Sequence, residues 1–279
     1  WNKSMYTRKK GYTSFDVVAK LRGIFHQKKI GHTGTLDPDA QGVLPVCLGK
    51  ATRVCDLLTD KDKVYKAVLL LGQETDTQDI SGQVLNQAKV DVTEQAVYDA
   101  ISQFIGRQKQ VPPMYSALKV NGKKLYELAR EGKTVERKPR PVHFYEIEIL
   151  DISFPLVRFR VTCSKGTYIR TLCHDIGEKL GCGAAMESLL RTKVGRFTLD
   201  DAITLAQTEE AVQKGTIESK ILGIEEILAE YPRVCCTKEG DRLLANGNPL
   251  VQALVDAQEK NGWIRMCSSE GGFAGVYQW

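Results

Sequence analysis

Between residues 31 and 44 the chain reads G-H-T-G-T-L-D-P-D-A-Q-G-V-L, followed by L-G-K-A-T at 48–52. Three glycines allow tight turns and close backbone approach, while Pro38 fixes the chain beyond Asp37 and pushes Asp37 itself toward an extended conformation. The segment therefore immobilises and presents one carboxylate, which can act covalently or electrostatically on a substrate. An Asp-Pro pair in a glycine-rich loop also makes an ordinary Asx turn, and spacing alone leaves both readings open. Tyr65 sits in K-V-Y-K-A-V-L-L-L-G (63–72), where a strand tyrosine is commonly a packing residue. The next stretch, T-D-T-Q-D-I-S-G (75–82), gathers carboxylates, but the EF-hand spacing and its terminal glutamate are absent. S-K-G-T-Y-I-R-T-L (164–172) lies where a strand passes into a helix, a place where backbone donors meet an anion. It lacks the G-x-x-x-x-G-K-[ST] spacing of nucleotide hydrolases.

These segments need elements to position them. Residues 13–22 read as a capped helix beginning at Thr13, with apolar positions on one side. Residues 64–71 and 142–152 are apolar and β-branched enough for strands, and 156–163 is expected to pair with the latter. Helices are expected at 94–105, closed by Gly106, at 123–130, closed by Gly132, and at 168–180, closed by Gly181. Strands and helices do not alternate strictly, so the class is α+β, with a mixed, largely antiparallel sheet flanked by helices. Near Tyr231 and Pro232 an acidic helical segment gives way to short strands with turn pairs at Asn246-Gly247 and Gly271-Gly272. The expected division is therefore 1–229 and a small β-rich module over 230–279.

Length and composition agree with a large domain plus a small one. The chain has 279 residues, 42% hydrophobic and 26% charged, with no apolar run long enough to cross a bilayer. No membrane partner is expected. The N-terminal residues show no apolar signal core, and eight cysteines spread over a long chain without a C-x-x-C pair suit reduced thiols in the cytoplasm. The four histidines (26, 32, 143 and 174) show no metal-ligand spacing, and no metal is expected. Net charge is only +5, but it is uneven. Residues 1–29 hold eight Lys/Arg against Asp16 alone, residues 107–143 hold ten against three Glu, and residues 200–230 hold eight Asp/Glu against Lys214 and Lys220. One basic and one acidic face are implied. Basic clusters release counterions from phosphates, which makes an extended polyanion a sensible partner, although a solvated charged surface reads the same way.

G-H-T-G-T-L-D-P-x-A-x-G-V-L followed by L-G-x-A-T resembles the signature of the TruB family of tRNA pseudouridine synthases. The resemblance runs from about Gly11 to Leu228, and more weakly through a C-terminal module similar to a shortened PUA domain. It implies the pseudouridine synthase fold, with Asp37 as the catalytic residue and His32 entering the RNA loop near displaced bases; Gly34 lies in the same substrate-binding loop. It implies that Tyr65 stacks on the target base and that Arg170, in S-K-G-T-Y-I-R, is brought to Asp37 as an ion pair. L-L-R-T (189–192) resembles the family's wall beside the base, with Leu190 as the apolar contact. P-P-M-Y-S-A-L-K-V-N-G-K-K-L-Y-E (112–127) also matches, and the basic insert of about 107–143 is expected to clamp the tRNA arm. Lys119, Lys123, Lys124 and Arg130 are candidate phosphate contacts there, as are Lys133, Arg137, Lys138 and Arg140. The sequence departs from the family at Lys9-Lys10-Gly11, where relatives carry a lysine-proline pair before the glycine.

The implied activity is isomerisation of a uridine to pseudouridine in the T-loop of tRNA, at position 55. The target base must leave its stack, because a paired base cannot be detached, turned and rejoined through C5. No cofactor is chemically required. A standalone monomer needing no protein partner is expected. Two other readings stay open: a noncatalytic RNA-binding or tRNA-folding protein with the same groove, and a pseudouridine synthase acting on another RNA.

Overall fold

Alternation decides the central strand. Across 63–71 the side chains of Lys63, Tyr65, Ala67, Leu69 and Leu71 are buried and those between them are not, the period-two pattern of a strand with one covered face. Gly72 ends the strand at φ +83°, and an added Cβ there would stand 2.7 Å from the Ala88 carbonyl oxygen. Glycine is thus required by both conformation and space.

The computed structural model describes residues 3–8, 12–256 and 262–279; Lys9, Lys10 and Gly11, where the sequence departs from its family, lie outside them. Two compact units are present, Ser4–Gly215 and one containing Thr216–Trp279. The strands of the larger unit are β1 (Lys3–Arg8), β2 (Ile30–His32), β3 (Gln41–Leu48), β4 (Lys63–Leu71), β5 (Gln73–Thr75), β6 (Val84–Gln87), β7 (Gly106–Gln110), β8 (Lys119–Val120), β9 (Lys123–Lys124), β10 (Arg140–Ser153), β11 (Leu156–Cys163), β12 (Ala184–Val194) and β13 (Phe197–Thr198). Its helices are α1 (Ser14–Ile24), α2 (Cys55–Thr59), α3 (Glu94–Ser102), α4 (Leu125–Arg130), α5 (Ile169–Leu180) and α6 (Leu205–Gln213).

The main sheet runs β1-β3-β12-β4-β11-β10-β7, with β2 on β3 and β13 on β12. It is mixed and largely antiparallel: β12 runs parallel to β3 and antiparallel to β4, while β4, β11, β10 and β7 follow antiparallel to one another. Helices α3 and α5 cover one face, and Leu69, Val157, Phe159, Leu172 and Ile176 fill the core between them and the strands. Helix α1 starts with a capping box, in which Thr13 Oγ1 accepts from Asp16 N while Asp16 accepts from Thr13 N. Helix α5 ends on Gly181 in the left-handed region. No disulfide joins any of the eight cysteines.

Two expected helices are shorter. Residues 103–105 close α3 with tight turns, Phe104 N to Ile101 O and Ile105 N to Ser102 O, and Gly106 at φ +100° opens β7. Lys123 and Lys124 form β9, because Asn121 and Gly122 both take positive φ and fold β8 onto β9. An Asn-Gly pair is the strongest short hairpin signal there is. The smaller unit contains α7 (Ile224–Ile227), β14 (Arg233–Cys236), α8 (Asp241–Ala245), β15 (Val255–Asp256), β16 (Trp263–Cys267) and β17 (Phe273–Gln278). Its sheet is ordered β15-β14-β16-β17 over Val234, Leu244, Ile264 and Met266. Gly271 and Gly272 turn β16 into β17, as expected, whereas Asn246 and Gly247 close α8.

Gly42 is where β3 and β12 come together. Its φ is +115°, and a Cβ would fall 2.1 Å from the Arg191 carbonyl oxygen and 2.7 Å from its amide nitrogen. Gly42→Ala must therefore push two paired strands apart as well as strain the backbone. A loss of at least about 2 kcal/mol is expected, and urea unfolding followed by circular dichroism measures it; a midpoint unchanged from wild type would contradict this packing.

Candidate active site

Asp37 lies in the loop joining β2 to β3. Two buried neighbours, Leu36 and Ala40, anchor the loop in the core on either side of the aspartate. The buried Ser14 Oγ, at the start of α1, accepts from Leu36 N at 3.1 Å, and Ala40 N donates to Asp37 O at 3.0 Å, closing a turn around Pro38. The Asp37 side chain stays 30% exposed. A fixed backbone with an accessible carboxylate is what the glycines and the proline were expected to produce.

Arg170, in the first turn of α5 and 4% exposed, meets that carboxylate. Its Nη2 donates to Asp37 Oδ1 at 3.0 Å. Its Nε lies 2.8 Å from Oδ2, close enough for an ion pair but without the alignment of a hydrogen bond. The rest of the guanidinium is committed to other segments: Nη1 donates to Thr77 O at 3.0 Å and reaches Asp79 Oδ2 at 3.4 Å, and Nη2 also donates to Tyr115 O at 2.9 Å. One arginine thus ties together the Asp37 loop, the acidic turn, the 112–118 segment and α5. The acidic turn is prepared for this. Asp79 Oδ1 accepts from Thr77 Oγ1 at 2.8 Å and from Ser81 N at 3.0 Å, while Asp76 Oδ1 accepts from Gln83 N at 2.8 Å. Gln110, at the end of β7, holds the backbone of Tyr168 at both N and O, at 2.8 and 2.9 Å.

Tyr65, 8% exposed, stands in register with Arg191 of β12. Burial pushes its pKa up to about 12 against the pull of the neighbouring Arg191 cation. His32 ends β2; burial, then the Arg191 charge, holds its pKa below the usual histidine value, so a neutral imidazole is favoured. Its Nδ1 is buried with no hydrogen-bond partner among the described residues.

Position 190 requires a correction. Tyr65 pairs with Arg191 and Ala67 with Leu189, whereas Leu190 pairs with the exposed Lys66. Side chains paired across antiparallel strands share a face, so Leu190 points to the side opposite Tyr65. The apolar residue on the Tyr65 side is Leu189, which belongs to the same buried cluster as Leu36 and Tyr65. Arg191 itself was not among the expected site residues, although the L-L-R-T segment that contains it was.

In the basic insert Lys119, Lys123 and Arg130 are exposed and Lys124 is half-buried. Lys124 and Arg130 both lie over the Tyr126 ring, 5.3 and 5.4 Å from its centre. Glu131 pairs with Lys123 and Lys133 on the surface, an arrangement worth little in water. Arg137 Nη1 donates to Pro112 O at 3.1 Å, bracing the insert.

One grouping with metal-ligand geometry, missed by histidine spacing alone, lies away from these residues on α5: His174, Asp175 and Glu178 bring ligand atoms within 4.8 Å of one another. Burial pushes the Asp175 carboxyl up to about 6 against the pull of His174. A carboxyl whose folded pKa is raised opposes folding once it must ionise. The cost is absent below the unfolded value of 3.8, grows between there and about 6, and is complete above. Asp175→Asn is therefore expected to stabilise the protein by on the order of 1 kcal/mol at pH 8, after discounting for partial exposure, and by less at pH 5. Thermal melts at the two pH values check the sign.

Among the described residues, no helix is long and apolar enough to cross a membrane. Comparison with known proteins gives the family. Residues 22–169 match the TruB family pseudouridylate synthase N-terminal domain, and residues 170–229 match the tRNA pseudouridylate synthase B C-terminal domain. A protein named tRNA pseudouridine synthase B from Lachnoclostridium phytofermentans is 53% identical over 98% of this chain and 93% of its own length. Another of that name from Clostridium novyi is 48% identical over 95% and 91%. Among solved structures, a Cbf5-Nop10-Gar1 complex superposes with a TM-score of 0.77 at 30% identity, covering 99% of this chain and 78% of that one. An H/ACA RNP bound to a substrate RNA containing 2'-deoxyuridine gives 0.74 at 27%, covering 99% and 77%. The chain belongs to the TruB family of pseudouridylate synthases.

Proposed function

We infer that this protein converts a uridine of tRNA to pseudouridine, at position 55 of the T-loop, with Asp37 acting on the nucleoside. The observation that carries the reading is the accessible Asp37 carboxylate fixed by a nearly buried arginine, 2.8 and 3.0 Å away, in a chain of this family. The reaction detaches N1 from C1′, turns the uracil and rejoins it through C5, an isomerisation whose atoms balance without oxidant or reductant. Asp37 acts at the sugar or the pyrimidine ring, Arg170 orients it, and Tyr65 lies against the base; the proton lost from C5 balances the one that N1 takes up. His32, neutral and short of a partner for Nδ1, enters the space left by the flipped base together with the Gly34 turn, and Leu189 forms the apolar wall.

Lys119, Lys123, Lys124 and Arg130 clamp the T-arm through phosphates, and the 230–279 sheet serves as a shortened PUA-like RNA-binding module. The protein works as a cytoplasmic monomer; eight cysteines without a disulfide suit a reducing compartment.

The test is pseudouridine mapping on an unmodified tRNA transcript, with filter binding at several salt concentrations. Conversion confined to the T-loop uridine by one chain per tRNA is expected. Lys119→Ala combined with Lys123→Ala should flatten the salt dependence by about two released counterions. Tight, salt-sensitive binding without conversion would overturn the enzyme reading in favour of an RNA-binding protein.

A further inference from the structure

Among the described residues Arg191 is the largest fully buried side chain, 1% exposed, in a strand otherwise built from apolar and small residues on that face. Burying a guanidinium is costly unless its donors are met. Here they are met by the backbone of the catalytic loop. Nε donates to Val43 O at 2.9 Å, Nη2 to Gly34 O at 3.3 Å and Nη1 to Thr35 O at 3.5 Å, and Tyr65 stands opposite Arg191 on the paired strand.

The placement of these acceptors is informative. Gly34 and Thr35 lie just before Asp37, and Val43 lies on β3 after the loop has returned. One planar group therefore spans both ends of the loop that presents Asp37, and from the same plane reaches the residue expected to lie against the base. The backbone is shaped to allow it. Gly42, with no side chain, brings β3 against the Arg191 backbone, and Gly34 at φ +93° turns its carbonyl to the guanidinium, with room for a Cβ only 3.8 Å from Nη1. A lysine ammonium in the same space has three donors on one atom and cannot serve carbonyls set apart along a fork.

We propose that Arg191 is a positioning residue for pseudouridine formation, holding the Tyr65 hydroxyl and the 34–43 loop in one register so that Tyr65 and Asp37 address the same nucleoside. The proposal rests on the roles assigned to those two residues above. Arg191 is assigned no contact with the nucleoside; it acts through the groups that address it. Its charge also opposes the effect of burial on the Tyr65 hydroxyl and adds to burial in lowering the pKa of the neighbouring His32.

Single-turnover pseudouridine formation, tRNA affinity and thermal melts of Arg191→Lys, Arg191→Met, Tyr65→Phe and the Arg191→Lys/Tyr65→Phe double variant test this. Arg191→Met removes the charge but leaves the Val43, Gly34 and Thr35 carbonyls without a donor, whereas Arg191→Lys keeps a donor among them, so the melts show which of the two folds and carries the test. The lysine variant is expected to slow the single-turnover rate by about 10- to 100-fold and the methionine variant further, with tRNA Kd within about twofold of wild type. The double variant should be no more than about threefold slower than the slower single one, because both changes remove one coupled contact. Rates within threefold of wild type overturn the proposal. So do losses that multiply in the double variant, or rate losses matched by lost tRNA affinity, the mark of a merely structural role. An inactive wild type would instead overturn the functional reading; an active wild type and inactive Asp37→Asn beside unaffected Arg191 variants would overturn only this inference.

Discussion

Asp37→Asn is expected to bind tRNA as wild type does and to form pseudouridine at least about 10³-fold more slowly, the scale of loss seen when a reacting group is removed from an intact site. The substitution is isosteric, and several of the contacts that anchor the loop do not use the carboxylate. Leu36 and Ala40 remain in the core, Leu36 N still donates to Ser14 Oγ, and the turn from Ala40 N uses the Asp37 main chain. The amide oxygen can still accept from Arg170 Nη2. What disappears is the negative charge and the second oxygen facing Nε. Arg170 keeps Thr77 O, Tyr115 O and Asp79, so the melting temperature should fall by only a few degrees. Tritium release from C5-labelled transcript under single-turnover conditions measures the rate, and filter binding the affinity. A variant within tenfold of wild type would show that Asp37 only shapes the loop.

The Asp37–Arg170 pair was legible in the sequence because each residue lies in a long motif whose order along the chain is itself distinctive. Residues 133 positions apart are otherwise beyond any local pattern. The main strands were legible for a physical reason, since burial of one face imposes a period of two on 63–71 and on 156–163. What escaped depends on contacts that arise only in the sheet. The side on which Leu189 and Leu190 fall is set by the pairing of β12 with β4, and that pairing is interrupted by register shifts on either side of 188–191. Without the register, two adjacent leucines cannot be told apart. Arg191 escaped for a related reason: its partners are main-chain carbonyls of residues about 150 positions away, and carbonyls carry no sequence identity. The hairpin at Asn121-Gly122 was within reach, but the helical pattern from Leu125 onward drew the expected boundary two residues too early.

Arg170→Met should cost stability as well as activity, and this separates it from Asp37→Asn. Removing the guanidinium leaves the Asp37 and Asp79 carboxylates without their shared cation and the Thr77 and Tyr115 carbonyls without a donor. Breaking a buried pair from one side costs about 3–5 kcal/mol, more than the intact pair contributes, because the remaining charge is left uncompensated. In a unit of this size that is a fall in Tm of roughly 10 °C. Arg170→Lys keeps the charge but loses the fork that addresses three other segments at once, so it should lie between wild type and the methionine variant in both melting and rate. Asp79→Asn should cost less than either, since its contact to Arg170 is the long one at 3.4 Å and its bonds from Thr77 and Ser81 survive in an amide oxygen. The order of the three melting temperatures is therefore the decisive reading. If Arg170→Met melts with wild type while its rate collapses, the arginine serves Asp37 alone. If Arg170→Met melts lowest, Arg170→Lys next and Asp79→Asn highest, the same guanidinium that orients the reacting carboxylate also holds the acidic turn and the 112–118 segment around it.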